Sequence, residues 1–161
     1  MEWLPLFEER LSDYFTLSAL DCQELAQVIT SEQEEIVHSQ FVNGGIERAV
    51  NKLLEQGKSY DVIMGISVGG IIGWKALLAG LKASRFYGVS ATRLRYEQQA
   101  PACPIRLIYG EADSYKPTKN WMENYASDTV ILPRYGHGLY RDPMAVEMIC
   151  RMLKMDLSHQ S

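Results

Sequence analysis

Three side chains in this sequence have the types and spacing for nucleophilic acyl transfer. Ser67 lies in Gly65-Ile66-Ser67-Val68-Gly69, after the apolar run Val62-Ile63-Met64. Asp113 closes Gly110-Glu111-Ala112-Asp113, after Leu107-Ile108-Tyr109, and His137 sits in Gly136-His137-Gly138, a few residues beyond Val130-Ile131-Leu132. A serine hydroxyl is a weak nucleophile near neutral pH and needs a base beside it. An imidazole takes that proton as the acyl group is attacked, and a carboxylate behind it sets the tautomer and stabilises the imidazolium.

Each residue has a plainer alternative. Gly65 to Gly69 also suits a glycine-rich turn of a doubly wound protein that binds a phosphate or nothing. Asp113 also suits a helix cap or turn. His38 and His159 compete with His137, but one lies in a polar connection and the other in the C-terminal tail. Asp21 competes with Asp113, but it precedes the serine. The serine turn lacks the lysine of a P-loop and the G-x-G-x-x-G spacing, which ranks a nucleotide-binding reading last.

These residues require a scaffold that brings three distant segments together. Trp3, Leu4, Phe7 and Leu11 recur at helical spacing with Pro5 in the first turn. Tyr14 to Leu20 is rich in aromatic and β-branched residues and predicts a strand. A short helix is expected around Glu24 to Ile29, then a polar loop through Glu32-Gln33-Glu34-Glu35. Ile46, Ala49, Val50, Leu53 and Leu54 form a core-facing helical stripe after the turn Asn43-Gly44-Gly45, and Gly57 ends it. Strands are expected at 61–65, 86–90, 105–109 and 129–132. Helices are expected over Ile71 to Leu81, over 119–126, and from Asp142-Pro143 onward, with a polar connection over 92–102. The alternation implies an α/β fold, a three-layer α/β/α architecture with a mostly parallel, doubly wound sheet of about five strands. Reactive groups then gather beyond the carboxyl ends of the strands. The helix after Ser67 aims its first N–H groups, those of Val68 and Gly69, at the same place.

The order Ser, Asp, His, with G-x-S-x-G between strand and helix, resembles the α/β-hydrolase superfamily. Gly65 to Gly70 matches its nucleophile elbow, Pro104 to Asp113 its acid segment, and Tyr135-Gly136-His137-Gly138 its histidine loop. Trp3 to Leu11 and Tyr14 to Asp21 resemble the helix and strand before the elbow. The resemblance implies Ser67 as nucleophile, Asp113 as orienting acid and His137 as base. It implies a small capless serine hydrolase acting on a carboxylic ester or thioester through an acyl-serine, with Val68 N–H as one oxyanion donor. The family takes its second donor from a loop after an earlier strand, which this sequence does not place before Trp3. The alternative reading is a catalytically weak or inactive binding protein on the same fold.

At 161 residues the chain makes one domain, expected over 1–156, with a loose tail over 157–161. A net charge of −4 and the lack of a basic stripe argue against nucleic acid. No apolar stretch is long enough to span a membrane, and no signal peptide is readable. Cys22, Cys103 and Cys150 are odd in number and widely spaced, which suits free thiols in a cytoplasmic protein and no zinc site. No cofactor or metal is expected, and the partner is a small-molecule ester or thioester. Tyr109, Tyr115, Tyr135 and Tyr140 either line an acyl pocket or pack against loops. Arg134 and Arg141 flank the histidine loop as solvated residues or as attractors of an anionic substrate. A strand of the family between Tyr14 to Leu20 and the elbow strand is missing, so either Tyr14 to Leu20 moves into its place or the sheet leaves an unprotected edge, which motivates a homodimer.

Overall fold

The computed structural model describes residues 1–158. Four parallel strands, β1 (Ser59–Ile66), β2 (Lys82–Val89), β3 (Ile105–Gly110) and β4 (Asp128–Leu132), lie side by side in chain order. Seven α-helices are described: α1 (Leu4–Leu11), α2 (Cys22–Ala26), α3 (Glu34–Gln40), α4 (Ile46–Glu55), α5 (Val68–Leu78), α6 (Lys119–Tyr125) and α7 (Pro143–Ser158).

Side chains of successive strand residues point to opposite faces, and both faces of this sheet are covered. Phe86, Ile105, Leu107 and Tyr109 pack with Ala49 and Leu53 of α4, Ile71 and Trp74 of α5, and Met122 of α6. Tyr87, Val89, Ile108 and Leu132 pack on the other face with Phe7 and Leu11 of α1 and Val146, Ile149 and Leu153 of α7. A parallel sheet buried on both faces needs near-continuous apolar strands, and Leu107-Ile108-Tyr109 is fully buried.

The sheet has four strands rather than about five, because Tyr14 to Leu20 is not a strand. Phe15 packs into the α1–α7 side of the core, but residues 16–20 are exposed and pair with no described strand. Propensity alone does not make a strand; a neighbour must take up its backbone groups. β1, which carries the elbow, is therefore an outer strand, and Val62, Ile63, Met64 and Ile66 are only half-buried.

Three further expectations are corrected. Glu34 and Glu35 begin α3 rather than lying in a loop. Carboxylates in a first turn suit the positive end of a helix. Asp21 ends no strand; its carboxylate caps α2 by accepting from Gln23 N–H at 2.8 Å. The turn before α4 is a wide bend over 41–45, with Gly44 at φ 108°. α7 continues through Ser158, so residues 157 and 158 of the expected tail are helical. His159, with the remainder of that tail, lies outside the described residues. Cys22, Cys103 and Cys150 are free thiols, and burial pushes the Cys22 and Cys150 thiols up to about 11. No described helix is long and apolar enough to cross a membrane.

Candidate functional site

The strands run in register, so the segments leaving their carboxyl ends emerge together. Ile66 lies opposite Val89, and Gly110 opposite Leu132. Ser67 follows β1 directly and holds φ 54°, ψ −120°. That conformation is disfavoured for a residue with a side chain and costs about 1–3 kcal/mol. The surroundings hold it there. Ser67 N–H donates to Val89 O at 3.0 Å, and Ser67 O accepts from Gly70 N–H at 3.0 Å and Thr92 N–H at 3.1 Å.

The glycines nearby permit a close approach of strand, helix and neighbouring loop. A Cβ on Gly65 would collide with the Gly69 carbonyl, and one on Gly70 with the Ala91 side chain. Gly69 is less constrained, since its nearest neighbour would be Cys22 Sγ at 3.4 Å.

The acid and the base arrive on two loops fastened to each other. After β3, Glu111 N–H donates to Leu132 O at 3.0 Å and Ala112 N–H to Tyr135 O at 3.0 Å. Gly110 lies so close to the Tyr135 and Gly136 carbonyls that a side chain there would not fit. Asp113 is buried, and its Oδ1 accepts from Tyr115 N–H at 2.9 Å. From behind, Tyr135 OH donates to Asp142 Oδ1 at 3.0 Å, and the same oxygen accepts from Ala145 N–H at 2.9 Å as α7 begins. The Ala145 N–H, then the Tyr135 hydroxyl, hold the Asp142 carboxyl below the usual carboxylate range.

Ser67, Asp113 and His137 thereby meet. Ser67 Oγ is 3.1 Å from His137 Nε2, and His137 Nδ1 is 3.0 Å from Asp113 Oδ2. A carboxylate only accepts, so the proton of a neutral imidazole belongs on Nδ1 and the Nε2 lone pair faces the serine hydroxyl. Those are hydrogen-bond distances for both links. Val68 and Gly69 begin α5, and neither N–H has an acceptor among the described residues. Such free amides are what a helix start offers to an oxygen carrying negative charge. Asp21 is spent on α2, and His38 lies in the last turn of α3.

The tyrosines divide. Tyr109 is core, with its hydroxyl donating to Ala91 O at 2.8 Å. Burial first, and the nearby Asp113 carboxylate second, push that phenol well above its ordinary range. The Tyr135 hydroxyl is occupied by Asp142. Tyr140 is buried between Trp3, at 5.6 Å between centroids, and the edge of His137, at 6.0 Å. Only Tyr115 combines exposure with a ring against the imidazole, at 4.9 Å. Arg141 lies against Tyr140, and Arg134 is exposed at φ 68°. Sequence reasoning gave the segment after β2 no role beyond a polar connection. It contains a short 3₁₀ turn, Leu94–Tyr96, joined to the elbow through Thr92. The available signal was charge: Val62 to Tyr96 contains no Asp or Glu.

No family model and no curated protein matches this chain by sequence. Its backbone does match solved structures. A candidate hydrolase of the alpha/beta superfamily from Xanthomonas campestris pv. campestris aligns over 96% of this chain and 90% of its own, with a TM-score of 0.67 and 16% identity. A YdeN-like candidate hydrolase from Pectobacterium atrosepticum aligns over 95% and 83%, with a TM-score of 0.61 and 12% identity. A predicted CIB-like hydrolase from Thermoplasma acidophilum aligns over 70% of this chain at 20% identity and a TM-score of 0.56. This chain spans 61% of that protein's length. The chain has the α/β-hydrolase fold, here with a four-stranded sheet.

Proposed function

We propose that this protein is a serine hydrolase that cleaves a carboxylic ester or thioester through an acyl-Ser67 intermediate. The observation that carries the reading is the continuous link Ser67 Oγ–His137 Nε2–His137 Nδ1–Asp113 Oδ2, at 3.1 and 3.0 Å. In this reading Ser67 Oγ attacks the acyl carbon while His137 Nε2 takes the hydroxyl proton. Asp113 holds the imidazole and stabilises its cation. The negative oxygen of the tetrahedral intermediate accepts from Val68 N–H and Gly69 N–H. One such donor contributes about 10²–10³ in rate. Collapse expels the alkoxide or thiolate, which leaves with the proton held by His137. Water then attacks the acyl-serine with His137 again as base, releasing the acid and restoring the Ser67 hydroxyl.

The competing reading is a binding protein that keeps this fold without turnover. A fluorophosphonate probe separates the two. Wild-type protein is expected to label at Ser67, Ser67→Ala not at all. Asp113→Asn is expected to fold normally and to hydrolyse 4-nitrophenyl esters about 10²–10⁴-fold more slowly, because the imidazole then takes the wrong tautomer. A folded wild type that neither labels nor hydrolyses removes the hydrolase reading.

A further inference from the structure

We propose that Arg93 and Arg95 form an anion-binding rim beside Ser67, so that the preferred substrate carries a negative charge away from its reacting carbonyl. The proposal rests on the hydrolase reading for the word substrate, but the binding site it describes is tested without turnover.

Position is the first ground. Thr92 N–H donates to Ser67 O at 3.1 Å, so Arg93 follows directly on a residue bonded to the elbow. Leu94, fully buried, anchors the turn between the two arginines. Arg93 itself holds φ 67°, a left-handed conformation that is uncommon for side chains of this kind. Arg95 reaches across to the acid loop, where its Nη1 donates to Ser114 O at 3.2 Å. Its guanidinium lies 5.9 Å from the Tyr115 ring centroid, and that ring lies 4.9 Å from the His137 ring. One tyrosine ring therefore separates this cation from the imidazole.

Charge is the second ground. The guanidiniums of Arg93 and Arg95 lie 5.1 and 5.0 Å from the centroid of the Tyr96 ring. Two like charges share one aromatic ring, and among the described residues neither is paired with a carboxylate. The nearest acid in sequence, Glu97, is engaged by Lys75 at 2.9 Å. Four other arginines are paired: Arg106 with Asp128 and Asp156, Arg85 with Asp156, and Arg10 and Arg151 with Glu147, while Arg48, Arg134 and Arg141, like Arg93 and Arg95, make no ion pair among the described residues. In a chain of net charge −4, residues 62–96 hold five basic side chains and no acid. A planar guanidinium presents a fork of donors that matches a carboxylate or a phosphate. Arg95 spends one Nη1 N–H on Ser114 O and one Nη2 N–H on the Tyr96 hydroxyl at 3.1 Å and keeps its other donors, whereas no Arg93 donor has an acceptor among the described residues.

The shared chemistry is an anionic ester or thioester, with its charge on the acyl chain or on the leaving group. Four probes in two matched pairs distinguish these sources. The acyl pair is 4-nitrophenyl hemiglutarate and neutral 4-nitrophenyl pentanoate. The leaving-group pair is the acetyl thioester of mercaptoethanol phosphate and that of mercaptoethanol. Binding to Ser67→Ala is measured by calorimetry, so no probe is consumed. In at least one pair, the anionic member is expected to bind on the order of tenfold tighter in dilute buffer. That preference should shrink at high ionic strength, and Arg93→Gln with Arg95→Gln should abolish it. Equal binding within both pairs, no binding of any probe, or a preference that survives the double substitution overturns the proposal. Ser67-dependent hydrolysis of any of the four probes by the wild type judges the hydrolase reading separately. If that hydrolysis fails while the binding preference stands, only the hydrolase reading falls. If hydrolysis proceeds without a preference, only the anion site falls.

Discussion

Ser67 is held in a strained conformation by three backbone hydrogen bonds and by two residues that have no side chain to obstruct them. The constraint is sharpest at Gly70, outside the five-residue motif, where an added Cβ would also approach Ala91 Cα to 2.9 Å. Gly70→Ala is therefore expected to destabilise the fold by about 1–3 kcal/mol and to displace the elbow, slowing labelling of Ser67. Gly136→Ala is the control. It lies next to His137, its φ is −106°, and an added Cβ there meets nothing within 4 Å. Its effect on urea unfolding should stay within about 0.5 kcal/mol. Equal losses from the two substitutions would refute this account of the packing around the elbow.

Among the elements, α7 has the most specific attachment to the sheet. Asp156 accepts from Arg106 Nε and Nη2, both at 3.0 Å, and from the Tyr87 hydroxyl, with Arg85 Nη1 at 3.7 Å. Burial pushes the Tyr87 phenol well up, and its bond to Asp156 adds to the effect. Burial also works to raise the Asp156 carboxyl, but the Tyr87 and Arg106 hydrogen bonds outweigh it and hold the carboxyl below its ordinary range. A carboxyl depressed by folding stabilises the native state above its unfolded pKa, near 3.9, and loses that contribution as pH falls through its lower folded value. Asp156→Asn should thus cost about 1–3 kcal/mol at pH 7. The gap between variant and wild type should close as pH falls below about 4. Urea unfolding at pH 3, 5 and 7 measures it, and a gap independent of pH would show that the ionised carboxylate is not what fastens α7.

For the molecule as a whole, the feature with most consequence is the order of its strands. The elbow strand lies at an edge, with one row of backbone groups unpaired by any described strand and with half-buried apolar side chains. Native proteins usually cover such an edge. The homodimer expected from it remains a proposal. Light scattering across a concentration series should show the mass rising above that of the monomer, and a constant monomer mass overturns the proposal.

Much of this organisation was legible in the residues themselves. The helical stripes of α4 and α5, the apolar runs of β1 to β4 and the order Ser67, Asp113, His137 are local patterns, and local patterns report backbone periodicity and turn chemistry directly. The strand expected at Tyr14 to Leu20 failed because a strand is a pairing and its partner is not written in its own residues. Tyr109 and Tyr135 look like pocket residues until the chain folds and Ala91 O and Asp142 occupy their hydroxyls. The rim of Arg93 and Arg95 was hidden for the same reason: Ser114 and Tyr115, which Arg95 meets, come from another loop. The sequence alone determined which groups could react and which segments could carry them. The tertiary structure alone decided their distances, their partners and the edge left open, because those depend on contacts between residues far apart in the chain.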